Sequence, residues 1–434
     1  MRDGRHCDPA VLRAALLALT ATARRVLPTL MALAVAAFAL SFAPPGTIGP
    51  PWLLLALAIL AVVWVVAQPM AAVRDDVLPA LAIALASLGL LLVARISPEL
   101  AHKQQYWLLV SLGLAIALGP AFTLFRRFAA YKYVWVLLCL VMFVLLVLFG
   151  QEVNGAKLWI RLGPVQYEPV ELIKLFIVFF LAAYLAETAD VIARARPWSI
   201  RANLRYLGPL FLGWGVCMAV LLLQRDIGMA GLLLCTFAAL LYAATRRIDL
   251  LAGSIVFFGG VAAWSIHHYH YAGARVAVWR NPFADPLGAG YQAAQGYYSL
   301  AAGGIFGTGY RLGHPTLIPD VGTDYIYAAY SEEFGFVGAI VVLALFLILV
   351  RRILRVAIEQ PDLYTRLLAI GLSATLGFQA FIIIGGVIGL LPLTGITLPF
   401  MSYGGSSLLA NFLLVALAWA MSAKPLNTQT QAPP

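Results

Sequence analysis

The feature that most constrains this chain is a series of long apolar runs separated by short polar segments. A run of about 20 apolar residues is long enough to cross a bilayer as an α-helix. Over the whole sequence, 62% of residues are hydrophobic and 11% are charged. A soluble globule has too little interior to bury that much apolar surface. The sequence therefore predicts an all-α, polytopic bundle of membrane helices.

About twelve segments are candidate membrane spans. They cover residues 26–43, 51–69, 77–94, 105–125, 133–150, 169–186, 206–223, 228–245, 249–267, 334–350, 367–391 and 403–422. We expect the first of them to be retained, because it is longer than the apolar part of a cleaved signal peptide.

The positions of the basic residues predict the orientation of the bundle. The net charge of +10 comes from 29 Lys and Arg residues. With the N-terminus in the cytoplasm, most of them fall on the cytoplasmic side, which is the usual asymmetry of membrane proteins. They include Arg24, Arg25, Arg126, Arg127, Arg246, Arg247, Arg351 and Arg352. This asymmetry explains the charge without nucleic acid and predicts that residues 268–333 form one large extracytoplasmic loop.

That loop holds an unusual share of the charged residues of the chain. Its charged side chains include Arg275, Arg280, Asp285, Arg311, Asp320, Asp324, Glu332 and Glu333. A loop longer than connectivity requires indicates function or disorder, and its many aromatic residues favour order. Asp285 lies between Pro282 and Pro286, in a predicted turn. From the residues alone, an Asx turn with a purely structural role is the preferred interpretation of Asp285.

Two charges lie within the sixth predicted span. Glu171 and Lys174 are three residues apart and so share one helical face. Charged groups inside a membrane cost about 2.5 to 3.5 kcal/mol each and therefore pair or line a polar cavity. Either the two residues neutralise each other near the outer interface, or they face a substrate, and the sequence leaves both alternatives open.

Three other features of the sequence can be interpreted from their local pattern. Arg225 and Asp226 fall in a tight turn between two spans, and we interpret them as turn residues. The histidines at 267, 268 and 270 fit an interfacial belt better than a metal site. Pro392 and Pro399 interrupt an apolar run, which predicts irregular backbone that lines a cavity.

Several of these stretches resemble the FtsW/RodA/SpoVE family of shape, elongation, division and sporulation proteins. The matching stretches are N-G-A-K-L-W-I-R-L-G, P-V-E-L-I-K, D-I-G, N-P-F-A-D-P-L-G-A-G-Y-Q-A-A-Q, G-G-I-F-G-T-G, T-D-Y-I-Y-A-A-Y-S-E-E-F-G and G-L-L-P-L-T-G-I-T-L-P-F-M-S-Y-G-G-S-S. They follow the order of the family. The chain departs from the family at Val170, at Arg225 and at Gly322, where the family usually has Ser, Pro and His.

The resemblance also implies a domain organisation. Family members typically have ten spans, so the additional helices fall near the N-terminus, as in some RodA-like members. We predict a cytoplasmic tail over 1–25, N-terminal membrane helices over 26–130, and a polymerase core over 131–422. Residues 423–434 would form a cytoplasmic C-terminal tail.

The activity that the resemblance implies is peptidoglycan glycosyltransfer, with lipid II polymerised at the outer face of the bacterial cytoplasmic membrane. Such an enzyme needs a base for the acceptor hydroxyl and positive charge for the departing pyrophosphate. Asp285 matches the essential aspartate of the family and would be the base. The predicted substrate-binding residues are Glu171, Lys174, Arg275, Arg280, Gln292, Gln295, Ser402 and Tyr403.

Other aspects of this function stay open from the sequence. Arg275 and Arg280 could contact lipid headgroups instead of pyrophosphate. No metal site is predicted, and no cofactor is certain, although a divalent cation could assist the two arginines. The expected partners are lipid II, membrane lipids and a single-pass class B penicillin-binding transpeptidase. The alternative functions are a lipid II flippase and a non-catalytic scaffold that activates the transpeptidase.

Overall fold

The computed structural model describes residues 27–30, 33, 51–66, 72–153, 156–163, 165–195 and 200–425, and helices dominate all of the longer segments. The helices are α1 (Pro51–Val66), α2 (Val77–Ile96), α3 (Pro98–Phe122), α4 (Lys132–Phe149), α5 (Val170–Arg194), α6 (Ile200–Leu223), α7 (Ile227–Thr245), α8 (Ile248–His268), α9 (His270–Arg280), α10 (Tyr291–Gly303), α11 (Ile326–Glu359), α12 (Leu363–Val387) and α13 (Gly405–Met421).

The prediction of an all-α membrane bundle is confirmed. Within the described residues, 8 helices are long and apolar enough to cross a membrane, and the shorter α13 is also apolar. Each predicted span from 51–69 onwards overlaps a helix, whereas most of the span at 26–43 lies outside the described residues. One helix begins earlier than its predicted span, because α3 already starts at Pro98, whereas the span was predicted over 105–125.

Burial separates central helices from peripheral ones. The apolar windows of α2 and α12 are each 72% buried within the protein, and that of α5 is 67% buried. In contrast, the windows of α8 and of the span Phe125–Phe149 are only 11% and 17% buried. Apolar side chains of the peripheral helices can remain exposed because the bilayer itself is apolar. The central helices therefore carry the protein core.

Short strands form two small antiparallel sheets. Strands β2 (Gly150–Val153), β3 (Ala156–Leu162) and β4 (Val165–Tyr167) form an antiparallel sheet between α4 and α5. In this sheet Ile160 pairs with both Gly150 and Tyr167. Strand β1 (Ala72–Val73) pairs with β5 (Lys424–Pro425), so the start of α2 lies next to the end of α13.

The segment predicted as a loop over 268–333 is largely ordered and ends earlier than expected. It contains helices α9 and α10, and α11 begins at Ile326. The acidic residues at its end are consequently helical and buried. Glu333 is 1% exposed and forms a salt bridge of 3.2 Å with Arg95, and Glu332 accepts a hydrogen bond of 2.7 Å from the backbone N–H of His314. These two carboxylates hold the segment against the bundle.

A buried polar cluster lies at the centre of the bundle. Lys174 on α5 is 0% exposed and donates hydrogen bonds to Glu171, to Gln379 on α12 at 2.8 Å and to Asn411 on α13 at 3.2 Å. Glu171 is 2% exposed. Three donors of an ammonium group thus meet three acceptors. The two charges pair with each other in the protein interior. Their neutralisation near the outer interface and the substrate-facing role of the pair both stay predictions.

The cluster continues into the irregular backbone between α12 and α13. Gln379 donates from Nε2 to the carbonyl of Thr397 at 3.0 Å, and Thr397 donates from its hydroxyl to Ser407 at 2.8 Å. Asn411 also donates to Ser407, at 3.2 Å. The side chains of the helices therefore satisfy the polar groups of the irregular backbone, as expected for such a segment inside a membrane bundle.

Replacement of Lys174 by Met tests the energetic role of this cluster. Removal of one partner of a buried pair leaves the other charge uncompensated, which costs about 3–5 kcal/mol. We expect the variant to show a clearly lower melting temperature in detergent. The double variant Glu171→Gln with Lys174→Met should recover most of the loss, because both charges are then absent.

The matched control is Lys103→Met. Lys103 pairs with Glu99 on α3 at 2.6 Å, but this pair is exposed. Exposed pairs contribute little to stability, so the melting temperature should stay unchanged. Equal effects of the two lysine variants would contradict the importance of burial.

Helix α2 packs directly against the backbone that precedes α13. A Cβ atom added at Gly89 would lie 2.4 Å from both Cα and the carbonyl oxygen of Met401. Among the described residues, no heavy atom outside the backbone of α3 itself lies within 4 Å of the equivalent position at Gly113 on α3. The helix-to-segment distance therefore depends on the absence of a side chain at Gly89.

Substitution of these two glycines by Ala should have opposite effects on thermal stability. Gly89→Ala overpacks the contact with Met401, at a cost of about 1–3 kcal/mol. Gly113→Ala enters open space and should stabilise α3 slightly, since Ala favours helix more than Gly. Melting curves of the purified variants measure both changes, and a stable Gly89→Ala variant would show that the contact is not tight.

Candidate functional site

Asp285 lies on an exposed turn whose backbone orients its carboxylate. Helix α9 ends at Arg280, and a short 3₁₀ turn over Pro282–Ala284 precedes Asp285. Its Oδ1 accepts a hydrogen bond from the N–H of Gly288 at 3.0 Å, and its Oδ2 accepts one from the N–H of Ala289 at 2.9 Å. A carboxylate has about four lone-pair sites. Two of them are used by the turn, so each oxygen can still accept a proton or another hydrogen bond.

Glycine is required at two positions of this turn because of close approach. A Cβ atom at Gly288 would lie 2.2 Å from Oδ2 of Asp285, and one at Gly290 would lie 2.0 Å from the carbonyl oxygen of Pro282. Neither distance is compatible with a side chain. These two glycines therefore allow the backbone to close around the carboxylate.

Helices α9 and α10 are attached to the irregular segment between α12 and α13. Trp279 on α9 donates from Nε1 to the carbonyl of Gly389 at 2.8 Å. A Cβ atom at Gly389 would lie 2.5 Å from the hydroxyl of Tyr297 on α10. Gln292 on α10 donates from Nε2 to the carbonyl of Pro319 at 2.9 Å. These contacts place the turn that carries Asp285 beside the irregular segment.

Arg275 on α9 is the cation of the site that contacts this segment. Its Nη1 donates to the carbonyl of Thr394 at 2.7 Å. Thr394 also packs against Gly228, in the first turn of α7, because a Cβ there would lie 2.9 Å from the same carbonyl oxygen. Arg275 thus lies near the junction of α7, α9 and the irregular segment.

Two carboxylates lie near this arginine. Burial raises the pKa of Asp324 to about 6, while a side-chain hydrogen bond from Thr323 and the charge of Arg275 oppose that shift. Burial also raises the pKa of Asp226 to about 6, and the N–H of Met229, which Asp226 caps at 2.9 Å, opposes it. The interpretation of Asp226 as a turn residue is consistent with this cap. The charge of Glu171 also raises the pKa of Asp226, and the charge of Arg275 lowers it.

The remaining predicted site residues occupy different environments. Arg280 is exposed at the end of α9, and Gln295 is half-buried on α10. Ser402 is 3% exposed, donates to the carbonyl of Thr323 and accepts from the N–H of Leu398 at 3.0 Å. The N–H of Tyr403 donates to the carbonyl of Gly322 at 2.8 Å. In this structure Ser402 and Tyr403 join the segment before α13 to the backbone at 322–323 through hydrogen bonds. Substrate binding by these two residues stays a prediction.

Sequence reasoning did not assign roles to Asp324 or Thr394. Both fall inside matching stretches, yet 49 residues separate Arg275 from Asp324 along the chain. The local pattern carries no signal for a contact over that separation. Among the residues that the structure describes, no three His, Cys, Asp or Glu side chains come together as a metal-binding group. Assistance of the two arginines by a divalent cation stays a prediction.

Comparison with known proteins identifies the relatives of this chain. The sequence model of the FtsW/RodA/SpoVE cell cycle proteins matches residues 75–425. The chain is 39% identical over 339 residues to the peptidoglycan glycosyltransferase RodA of Mycobacterium tuberculosis, covering 76% of this chain and 72% of that protein. It is 36% identical over 290 residues to the stage V sporulation protein E of Bacillus subtilis, covering 65% and 76%.

Solved structures show the same architecture. A chain of a peptidoglycan synthase complex, described as coordinating polymerization and crosslinking, superposes with a TM-score of 0.65 at 29% identity, over 83% of this chain and 99% of that one. The rod shape determining protein RodA of Thermus thermophilus superposes with a TM-score of 0.58 at 26% identity, over 83% and 98%.

The extent of the match accounts for the additional N-terminal helices. The matched region begins at residue 75 and so includes part of the segment 26–130 that the sequence predicts as N-terminal membrane helices. Among the described helices, it contains α2 to α8 and α11 to α13 as long helices, whereas α1 lies before it. Its helices, its ordered motifs and its identity to these glycosyltransferases agree, and this multi-pass membrane protein belongs to the FtsW/RodA/SpoVE family.

Proposed function

We propose that this chain polymerises lipid II into glycan strands at the outer face of the cytoplasmic membrane, with Asp285 as the general base. The observation that carries the proposal is the exposed, glycine-framed carboxylate of Asp285 in a member of a glycosyltransferase family. The distribution of basic residues supports an extracytoplasmic location of this turn.

The reaction follows from the chemistry of the two substrates. Asp285 takes the proton of the acceptor 4-hydroxyl as its oxygen attacks the anomeric carbon of the donor. The bond between that carbon and the pyrophosphate oxygen breaks, and undecaprenyl pyrophosphate leaves with the electron pair. A pyrophosphate is already a good leaving group, so a general acid of the glycosidase type is not needed. Attack opposite to the leaving group inverts the anomeric centre.

Charge compensation of the leaving group is the second requirement. Arg275 and Arg280 lie on the helix that leads into the Asp285 turn, and a guanidinium can bind phosphate oxygens through two hydrogen bonds. Positive charge at the developing anion stabilises the transition state. Gln292 and Gln295 on α10 supply amide groups for sugar or peptide groups of the substrate. The prenyl chain of the donor remains among apolar helix faces.

The proposed partner is a single-pass penicillin-binding transpeptidase. One solved relative belongs to a synthase complex that combines polymerization with crosslinking. A polymerase that releases strands at the outer face would supply the substrate of such a crosslinking enzyme. A lipid II flippase would need no positioned base, and for this reason we favour polymerisation over transport.

Asp285→Asn is the direct test of the proposed base. Asn retains an oxygen that can accept the N–H of Gly288, so the turn should survive, but it cannot take a proton. We expect glycan strand formation from lipid II to fall by a factor of about 10² to 10⁴, measured with purified protein in detergent. The melting temperature should change little.

Asp320→Asn is the matched control. Asp320 is an exposed aspartate of the same segment with a φ of 49°, a conformation that Asn tolerates. This variant should polymerise at the wild-type rate. Wild-type activity of Asp285→Asn would mean that the carboxylate only holds the turn. Translocation of lipid II into vesicles without strands would instead favour the flippase.

A further inference from the structure

The guanidinium of Arg275 needs more than one contact to keep a fixed orientation. It lies on an exposed part of α9, and its hydrogen bond to the carbonyl of Thr394 uses a single N–H. A guanidinium has five N–H donors in a rigid plane. One hydrogen bond leaves that plane free to rotate, whereas a second contact on another edge would fix it.

Asp324 supplies a nearby carboxylate that acts on Arg275 through its charge, because no hydrogen bond or salt bridge joins these two side chains in the described part of the chain. A Cβ atom at Gly395 would lie 3.3 Å from Nη2 of Arg275 and 3.8 Å from Oδ2 of Asp324. The two charged groups therefore approach the same point beside the backbone of Gly395, whose φ is 79°. The charge of Arg275 favours the ionised form of Asp324 against the effect of burial. Electrostatic attraction between the two side chains is thus present in the folded protein.

Asp324 is itself held rigidly relative to the irregular segment. Its N–H donates to the carbonyl of Asp320 at 3.0 Å. The carbonyl of the preceding residue, Thr323, accepts the hydroxyl of Ser402. The carbonyl of Gly322 accepts the N–H of Tyr403. These hydrogen bonds join the backbone around Asp324 to the irregular segment that contains Thr394. Arg275 is oriented against these two connected segments.

We propose that Asp324 is a positioning residue that, with the carbonyl of Thr394, holds Arg275 toward the diphosphate group of the lipid-linked donor. This inference rests on the proposed function. The guanidinium donors that do not face Thr394 and Asp324 remain available for phosphate oxygens. The hydroxyl of Thr394 is buried and has no hydrogen-bond partner among the described residues, so it can add a further donor.

A carboxylate near an anion site can act in two opposite ways. If Asp324 orients Arg275, removal of its charge weakens binding of the diphosphate. If Asp324 only repels the diphosphate, its removal strengthens binding. The direction of the change therefore separates the two alternatives.

The experiment measures strand formation at varied lipid II concentration for Asp324→Asn, Asp324→Glu and the control Asp320→Asn. We expect Asp324→Asn to raise KM severalfold with little change in kcat, because the electrostatic attraction that orients Arg275 is lost. Asp324→Glu should recover part of this loss, and Asp320→Asn should match the wild type. An unchanged or lower KM for Asp324→Asn would overturn the proposal.

A double-mutant cycle with Arg275→Gln tests whether Asp324 acts through the arginine. In the Arg275→Gln background, Asp324→Asn should have no further effect on KM, because the group that it orients is absent. A merely structural role would give additive effects, which would overturn the proposal. Melting temperatures of all variants show whether each one folds.

Binding of undecaprenyl pyrophosphate, followed by tryptophan fluorescence in detergent, gives a readout that does not require catalysis. Undecaprenol, which lacks phosphate, is the control ligand and should bind equally to all variants. The same non-additive cycle in diphosphate binding, without strand formation by the wild type, would support the positioning role and contradict the proposed polymerisation. Strand formation by the wild type together with an additive cycle would support the proposed polymerisation and contradict the positioning role of Asp324.

Discussion

The structure depends on the requirement that a charged group buried inside the bundle is paired within the protein. No water is present in the bilayer core to satisfy such groups. Lys174 illustrates the requirement, because its ammonium group joins acceptors on α5, α12 and α13. These hydrogen bonds fix the mutual positions of three helices more specifically than apolar contacts alone, since each acceptor must lie within reach of one nitrogen.

The irregular backbone between α12 and α13 transmits this arrangement to the candidate site. On the side of the core, Gln379 donates a hydrogen bond to the carbonyl of Thr397. On the other side, Trp279 donates a hydrogen bond to the carbonyl of Gly389, and Arg275 donates one to the carbonyl of Thr394. A helix could not offer these carbonyls, because its backbone groups are used within the helix. Two prolines that interrupt an apolar run thereby create the attachment surface for α9 and α10.

This construction separates the two groups that polymerisation requires. The carboxylate of Asp285 is held by the backbone of its own turn, whereas the guanidinium of Arg275 is held by the irregular segment. Positioned groups on rigid supports lower the cost of reaching the transition state, because little reorganisation accompanies the reaction. In the proposed reaction, these two groups would act on the acceptor hydroxyl and on the departing diphosphate from separate supports.

The sequence by itself determined the helices, the family and the turn around Asp285, because apolar length, motif order and turn residues are local properties. It did not determine that α9 and α10 order the segment 268–325, or that Glu333 pairs with Arg95. It also left the environment of Lys174 open and gave no sign that Asp324 lies near Arg275. Each of these contacts joins residues that are distant along the chain. Only the packing of the helices brings such residues together, and so only the tertiary structure decided how their charges are used.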